Sequence, residues 1–276
     1  MRYYLDTVAA RALSKELHKL QSHSFTSALV VMELISGIGE REFKIRKQVI
    51  KNLIDSRFPV VWKLPEKINA EAFPIIEIKE SRVLGLQNLC IELYRSENVE
   101  AFITNTEKEI YNIDFFKKLD KNYSNIFIEA TLKGNKELKK IYTEQRLNNR
   151  KEFEDYAKQI VKSLASEVDV NNAITIKVIA GHLAAQASED NDLVTEEEVY
   201  NSYNHSIDIF MNAFSLFSAK KSGELGTPAK NDYTDLLHLL YLGNNPNLSI
   251  VTNDNMILKI TEQSKTILEY KQINGV

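Results

Sequence analysis

The chain has 276 residues, of which 43% are hydrophobic and 26% are charged, so global disorder is excluded and a substantial core is expected. Lysine and arginine number 35 against 38 acidic residues, and the formal net charge of −3 provides no overall positive field that would attract a polyanion. The single cysteine, Cys90, excludes an internal disulfide, and residues 1–6 lack the apolar core of a secretory signal, so we expect a cytoplasmic protein.

The first part of the chain predicts strands that alternate with helices. In order, the pattern predicts a strand at 2–5, a helix from residue 7, a helix between 27 and 37, a helix over 41–54 and a strand over 58–64. Ser27 is expected to cap its helix and Gly37 to end it. Between them, Glu33 is the single acid in an otherwise apolar run.

The middle of the chain, 66–229, has a mainly helical pattern. Thr195 and Glu198 form a predicted capping box, which opens one helix over 195–219 whose apolar stripe should belong to the core. The apolar stretch at 207–217 is about half of the ~20 residues that a membrane span requires, so no membrane segment is predicted. The glycines and proline of 221–228 predict a connection.

The last part of the chain returns to alternating elements. The pattern predicts a helix over 232–242, a strand over 248–252, a helix over 255–261 and a final strand over 266–270. Strands that alternate with helices at both ends of a chain are typical of an α/β fold with a parallel sheet.

Four acidic residues occupy positions where an α/β fold binds ligands. Asp6 and Asp254 each follow an apolar strand and precede a helix, which places them at the carboxyl edge of a parallel sheet. If the helices that carry Glu33 and Asp235 begin at this edge, four carboxylates converge there. Like charges about 4 Å apart repel by ~4 kcal/mol at an effective dielectric constant near 20, and a hard divalent cation removes this repulsion. Oxygen ligands suit Mg²⁺ or Mn²⁺, and no Cys/His spacing favours Zn²⁺.

These acidic motifs resemble those of the PIN-domain (PIN-like) nucleases. The resemblance lies in Tyr4–Thr7, Ser27–Leu34, Asn231–Leu237 and Ile250–Asp254, each of which contains an acid in the context that family members share. It implies a metal-dependent ribonuclease with a parallel sheet flanked by helices. Its Mg²⁺ or Mn²⁺ ligands and catalytic residues would be Asp6, Glu33, Asp235 and Asp254. The polar residues expected to support them are Thr7, Asn231, Asp232, Thr252 and Asn253.

The resemblance also implies a domain organisation and partners. Residues 1–65 together with 230–276 would form the PIN-like nuclease core, and 66–229 would be a large, mainly helical insertion. RNA is favoured over DNA as the substrate, although related folds include structure-specific DNA nucleases and binding modules without catalysis. An antitoxin or another regulatory protein is a further partner that the family allows. The sequence does not indicate the oligomeric state.

Simpler interpretations remain open for several of these residues. Asp6 and Asp254 fit a role as caps of the helices that follow them. Glu33 fits a structural role less well, because an unpaired buried carboxylate costs several kcal/mol. His238, within Leu-Leu-His-Leu-Leu, is interpreted as a packing residue. The basic stretch 133–151 is either a phosphate-binding surface or a solvated helix face.

Overall fold

The described part of the chain forms a sheet of five short parallel strands. The structure is a computed structural model that describes residues 1–77, 81–144, 151–152, 155–156, 159, 168–189, 194–223, 226–229 and 231–276. The strands are β1 (Arg2–Leu5), β2 (Ser24–Ser27), β3 (Val60–Val61), β4 (Leu248–Val251) and β5 (Ser264–Lys265). Their order across the sheet is β3-β2-β1-β4-β5, and every pair is parallel. The prediction of an α/β fold with a parallel sheet is confirmed.

The two ends of the chain meet in this sheet, because β1 and β4 are neighbours. Tyr4 is in register with Ile250 and Leu5 with Val251, and these four residues are fully buried or nearly so. Both faces of a parallel sheet are usually covered by helices, so side chains on both faces are buried. This explains why β1 and β4 consist mainly of apolar residues. The sheet therefore positions the residues that follow Leu5 and Val251 side by side.

The chain divides into two compact units. The first comprises Met1–Asn69, Ile78–Lys121 and His238–Val276, and the second comprises Ala70–Glu77 and Asn122–Leu237. The predicted division, 1–65 with 230–276 against 66–229, stays a prediction; the first unit here also includes 81–121, and the second includes 231–237.

Helices surround the sheet in the first unit. They are α1 (Thr7–Ala12), α2 (Leu17–Leu20), α3 (Ala28–Ser36), α4 (Phe43–Asp55), α5 (Pro65–Ala72), whose last three residues belong to the second unit, α6 (Ser81–Arg95), α7 (Val99–Thr106), a 3₁₀ helix (His238–Leu242), α13 (Asn255–Ile260) and α14 (Ile267–Asn274). Ser27 accepts a hydrogen bond from the Val30 amide, and Gly37 ends α3, as predicted. The predicted helices at 41–54 and 255–261 are confirmed, with shifts of one or two residues.

The second unit is helical in its described part. Its helices are α8 (Ile113–Glu144), which begins in the first unit, α9 (Val168–Glu189), α10 (Glu196–Asn201), α11 (Asp208–Gly223) and α12 (Asp232–Leu237). In the basic stretch 133–151, Lys136, Lys139 and Lys140 are exposed on α8, while 145–150 lie outside the described residues. Among the described residues, no helix combines the length and the apolar character that crossing a membrane requires.

Three predicted elements need correction. The helix predicted over 195–219 is interrupted between α10 and α11, because the Asn204 side chain bonds to the Glu71 carbonyl and His205 adopts a φ of 62°. The strand predicted over 58–64 is paired only at Val60–Val61. The predicted final strand 266–270 is the start of α14, where Thr266 and Glu269 form a capping box.

The strand β2 was not predicted from the sequence. Its residues Ser24, Thr26 and Ser27 are polar, yet all three are fully buried. Their hydroxyl groups contact Tyr270, the Leu5 carbonyl oxygen and Tyr4, respectively. These partners satisfy hydroxyls that would otherwise be costly to bury.

Candidate functional site

Asp6 lies at the carboxyl edge, which we define as the carboxyl ends of β1, β2 and β4 with the residues that follow them. It directly follows the central strand β1 and caps α1, where its Oδ1 accepts a hydrogen bond of 2.7 Å from the Ala9 amide. The residue is only 6% exposed. Burial raises the pKa of Asp6, although nearby His238 and hydrogen bonds from Thr252 and Ala9 partly oppose this shift.

Glu33 extends from the apolar helix α3 and has two polar neighbours. The hydroxyl of Thr7 donates a hydrogen bond to its Oε2, and Nε2 of His238 lies 3.2 Å from the same oxygen. The Glu33 side chain is 17% exposed, so its carboxylate is largely withdrawn from water but not isolated from donors. Thr7, which we expected among the supporting residues of the site, contacts the Glu33 carboxylate; its role in supporting a metal ligand stays a prediction.

His238 connects Glu33 to the core through a chain of hydrogen bonds. Its Nδ1 is 2.6 Å from the hydroxyl oxygen of Tyr4, which is 2.8 Å from Oγ of Ser27. An ionised carboxylate only accepts, so we assign the Nε2 proton to the bond with Glu33. In the neutral form of the ring, Nδ1 accepts from Tyr4 and Ser27 donates to the Tyr4 oxygen; in the protonated form, which is the one that lowers the pKa of Asp6, Nδ1 donates to the Tyr4 oxygen. Each of these polar groups is satisfied in this arrangement.

Asp254 occupies the corresponding position after β4. Its Oδ1 accepts hydrogen bonds from the amides of Met256 and Ile257 at 2.8 and 2.9 Å, and the residue is half-buried. Its own amide donates to the hydroxyl of Thr252, which is fully buried. Both aspartates therefore act as helix caps, as the simpler interpretation predicts. Capping by Oδ1 does not prevent either carboxylate from binding a ligand.

The remaining predicted polar residues have local partners. Asn253 is exposed and accepts a hydrogen bond from the Ile267 amide at the start of α14. Asp232 accepts a bond from the Ala229 amide and lies 3.3 Å from Nζ of Lys221. The Asp232 side chain thus holds the residues that lead into α12 and pairs with Lys221 within the second unit. Asn231 is exposed at the start of α12.

Asp235 belongs to α12 in the second unit and is half-buried there. Its amide donates to the Asn231 carbonyl oxygen, as expected for the first turn of a helix. The convergence of Asp235 with the three acids of the first unit stays a prediction.

The arrangement offers oxygen donors but not an assembled metal-ligand cluster. Within the described ranges, no three His, Cys, Asp or Glu side chains are placed to hold one ion together. The donor chemistry nevertheless suits a hard cation, because Asp6 is a buried carboxylate whose ionised form lacks full compensation. The charge of Glu33 adds to the raised pKa of Asp6, and a divalent cation would offset this repulsion.

The polar chain from His238 to Ser27 was not predicted from the sequence. The pattern favoured a packing role for His238, and the histidine is indeed only 4% exposed. A signal was present, because His238 follows Asp235 by three residues on a predicted helix. Its partner Tyr4 gave no such signal, since it occupies an ordinary strand position.

Comparison of the chain with protein-family models, with curated proteins and with solved structures gave no match. The resemblance to PIN-domain nucleases therefore continues to depend on the four acidic motifs.

Proposed function

We propose that this protein is a metal-dependent endonuclease with a PIN-like core, and that RNA is its substrate. The observation that carries the proposal is Asp6, a carboxylate buried at the end of the central strand with a raised pKa and with Glu33 close enough to influence it. Such a costly group is seldom retained without a role, and the carboxyl edge of a parallel sheet is where α/β folds bind ligands.

Mg²⁺ or Mn²⁺ is the proposed cofactor, with Asp6, Glu33, Asp235 and Asp254 as its ligands. When bound, such an ion activates water and stabilises charge on the phosphoryl oxygens during hydrolysis. The protein's own groups orient the ligands. Thr252 and the Ala9 amide hold the carboxylate of Asp6, and the paired amides of α13 hold that of Asp254.

His238 is proposed as a positioning residue for Glu33. Thr7 and His238 approach the same Oε2, which fixes the rotation of the carboxylate and leaves Oε1 for a ligand. Tyr4 in turn fixes the imidazole by its 2.6 Å contact with Nδ1. Outer partners of this kind typically change metal affinity by about 10- to 100-fold when they are removed.

A cytoplasmic location and a regulatory partner complete the proposal. Cys90, the single cysteine, is buried as a free thiol, which is compatible with a reducing compartment. A nuclease in that compartment requires control, and an antitoxin or similar protein would provide it.

Cleavage of labelled single-stranded RNA and DNA by the purified protein tests the proposal. We expect RNA cleavage with Mn²⁺ or Mg²⁺, none with EDTA, and the same rate for the matched variant Asp55→Asn, which removes a carboxylate at the exposed end of α4. If the protein cleaves DNA but not RNA, DNA is the substrate instead of RNA. A folded protein that cleaves neither with either metal would overturn the proposed activity.

A further inference from the structure

A second site in the first unit is a pocket beside the edge strand β3. It has a volume of about 220 Å³ and lies among α3, α4, α6 and β3. Its wall includes the apolar side chains of Val31, Ile50, Leu53, Phe58 and Val60. Trp62 and Cys90 also line it. A dry cavity of about 150 Å³ is sufficient to bind benzene, so this pocket has room for an aromatic ring with a short chain.

Arg57 is the one charged residue among the described residues that line this pocket, and its backbone is unusual. Arg57 has a φ of 50°, in the left-handed region that favours glycine. Arg57 follows Ser56, the C-cap of α4. The Arg57 amide donates a hydrogen bond to the Ile54 carbonyl oxygen, and the Phe58 amide donates one to the Leu53 carbonyl oxygen. This is the Schellman arrangement, in which glycine is the usual residue at the Arg57 position. Arginine is thus present where it is conformationally unfavourable, which indicates a role for its side chain.

The guanidinium of Arg57 is available to a ligand. Arg57 is exposed, and within the described part of the chain its side chain has no hydrogen bond or ion pair. A guanidinium presents a planar fork of donors that matches a carboxylate in a two-bond geometry. The apolar wall offers few polar partners, so the portion of a ligand inside the pocket must be apolar.

We infer that this pocket binds a small carboxylic acid, with an apolar body inside the pocket and the carboxylate on Arg57. The inference is independent of the proposed nuclease activity, because it depends on a different part of the first unit. Ligands that combine an apolar body with one well-placed charged group are typical of protein pockets. A free acid and the carboxyl terminus of a peptide share this chemistry, and the experiment distinguishes them.

Trp62 allows a direct binding measurement, because it is the single tryptophan of the chain. Titration with 3-phenylpropionate should change its fluorescence with saturation, and the neutral amide of the same compound should bind at least tenfold more weakly. A short peptide with a free C-terminal phenylalanine should bind more weakly than 3-phenylpropionate. If this peptide binds more tightly, the free acid is the wrong ligand.

Variants separate ligand binding from stability. Arg57→Gln should weaken binding of the acid at least tenfold and leave binding of the amide unchanged, and Arg57→Lys should have an intermediate effect. Arg57→Gly should also lose binding of the carboxylic acid. It should melt at a higher temperature than the wild type, because glycine suits the backbone at this position. Cys90→Leu, which fills the pocket, should abolish binding of both compounds. Equal affinity for acid and amide, or an unchanged affinity in Arg57→Gln, would overturn the inference.

Discussion

Asp6 and Asp254 have the same local sequence signal but different surroundings. Each follows a strand of the parallel sheet and caps the next helix through its Oδ1. Asp6 accepts one backbone amide bond, from Ala9, whereas Asp254 accepts two. Asp6 follows the central strand and is 6% exposed, whereas Asp254 is half-buried.

The difference shows that strand position, rather than the motif, determines the electrostatic cost of each aspartate. The cap at Asp254 stabilises its helix with the carboxylate still in contact with water. At Asp6, burial raises the pKa, so the ionised form is held at a cost. If a cation binds at the carboxyl edge, Asp6 is the residue that gains most from it.

In the RNA-cleavage assay, the largest effect should come from removing the charge of Asp6 or that of Asp254. Asp6→Asn and Asp254→Asn keep a capping side chain, so both variants should fold. We expect each to lose Mn²⁺-dependent RNA cleavage by about 100-fold or more, a loss of roughly 3 kcal/mol of transition-state stabilisation. Full activity in both variants would contradict the proposed metal site.

Asp235→Asn extends this comparison to the second unit. If Asp235 is a ligand, this variant should lose cleavage to a similar extent. Asp232→Asn should retain most of the activity, because the Asp232 carboxylate is already engaged by the Ala229 amide and Lys221. If Asp232→Asn loses cleavage and Asp235→Asn retains it, Asp232 is the third acidic ligand. Rates measured on one RNA at saturating Mn²⁺ distinguish the two assignments.

Metal affinity should be the next most sensitive quantity, through His238. His238→Phe removes the donor to Glu33, and we expect Mn²⁺ binding by calorimetry to weaken about 10- to 100-fold. His238→Gln should recover part of the affinity, since its amide can donate in place of Nε2. His23→Phe is the matched control, because His23 precedes the amino end of β2 and contacts Tyr270 instead. Equal losses in both histidine-to-phenylalanine variants would indicate a purely structural effect.

The pH dependence of stability should reveal the buried charge of Asp6 without any activity assay. The pKa of Asp6 is raised in the folded protein, so between the unfolded value near 4 and the folded value the native state binds more protons. Stability is therefore lost as the pH rises through this interval. Asp6→Asn removes the penalty, so its gain in melting temperature over wild type should be small below about pH 4 and grow towards neutral pH. A constant gain across this range would contradict a buried charge as its cause.

The smallest effect should appear when the caps themselves are removed. Asp254→Ala leaves two amides of α13 without an acceptor and should lower the free energy of unfolding by about 1 kcal/mol. Asp6→Ala loses its cap as well but also removes a buried charge, so its loss at neutral pH should be smaller. Urea denaturation of the two metal-free variants measures both. A larger loss for Asp6→Ala would mean that capping outweighs burial at this edge.

Local chemistry made much of the fold predictable. The apolar runs Arg2–Leu5 and Leu248–Val251 are strands, and Ser27 and Gly37 bound a helix, because short-range propensities and caps favour the same structure at each. Where two local signals competed, the prediction was wrong. Thr266, Ile267 and Tyr270 are residue types that favour a strand, yet the capping box of Thr266 and Glu269 begins a helix there.

The sequence by itself determined the strands β1 and β4, their parallel arrangement and the placement of Asp6 and Asp254 where a strand gives way to a helix. The tertiary structure decided which polar residues are buried and which distant side chains meet, and local patterns in the sequence do not contain this information. The polar strand β2 is buried because Tyr270, the Leu5 carbonyl and Tyr4 satisfy its hydroxyls, and His238 reaches Glu33 from more than two hundred positions away in the chain. The physical reason is that burial of a polar group depends on its partners, and those partners are brought together only when distant segments pack.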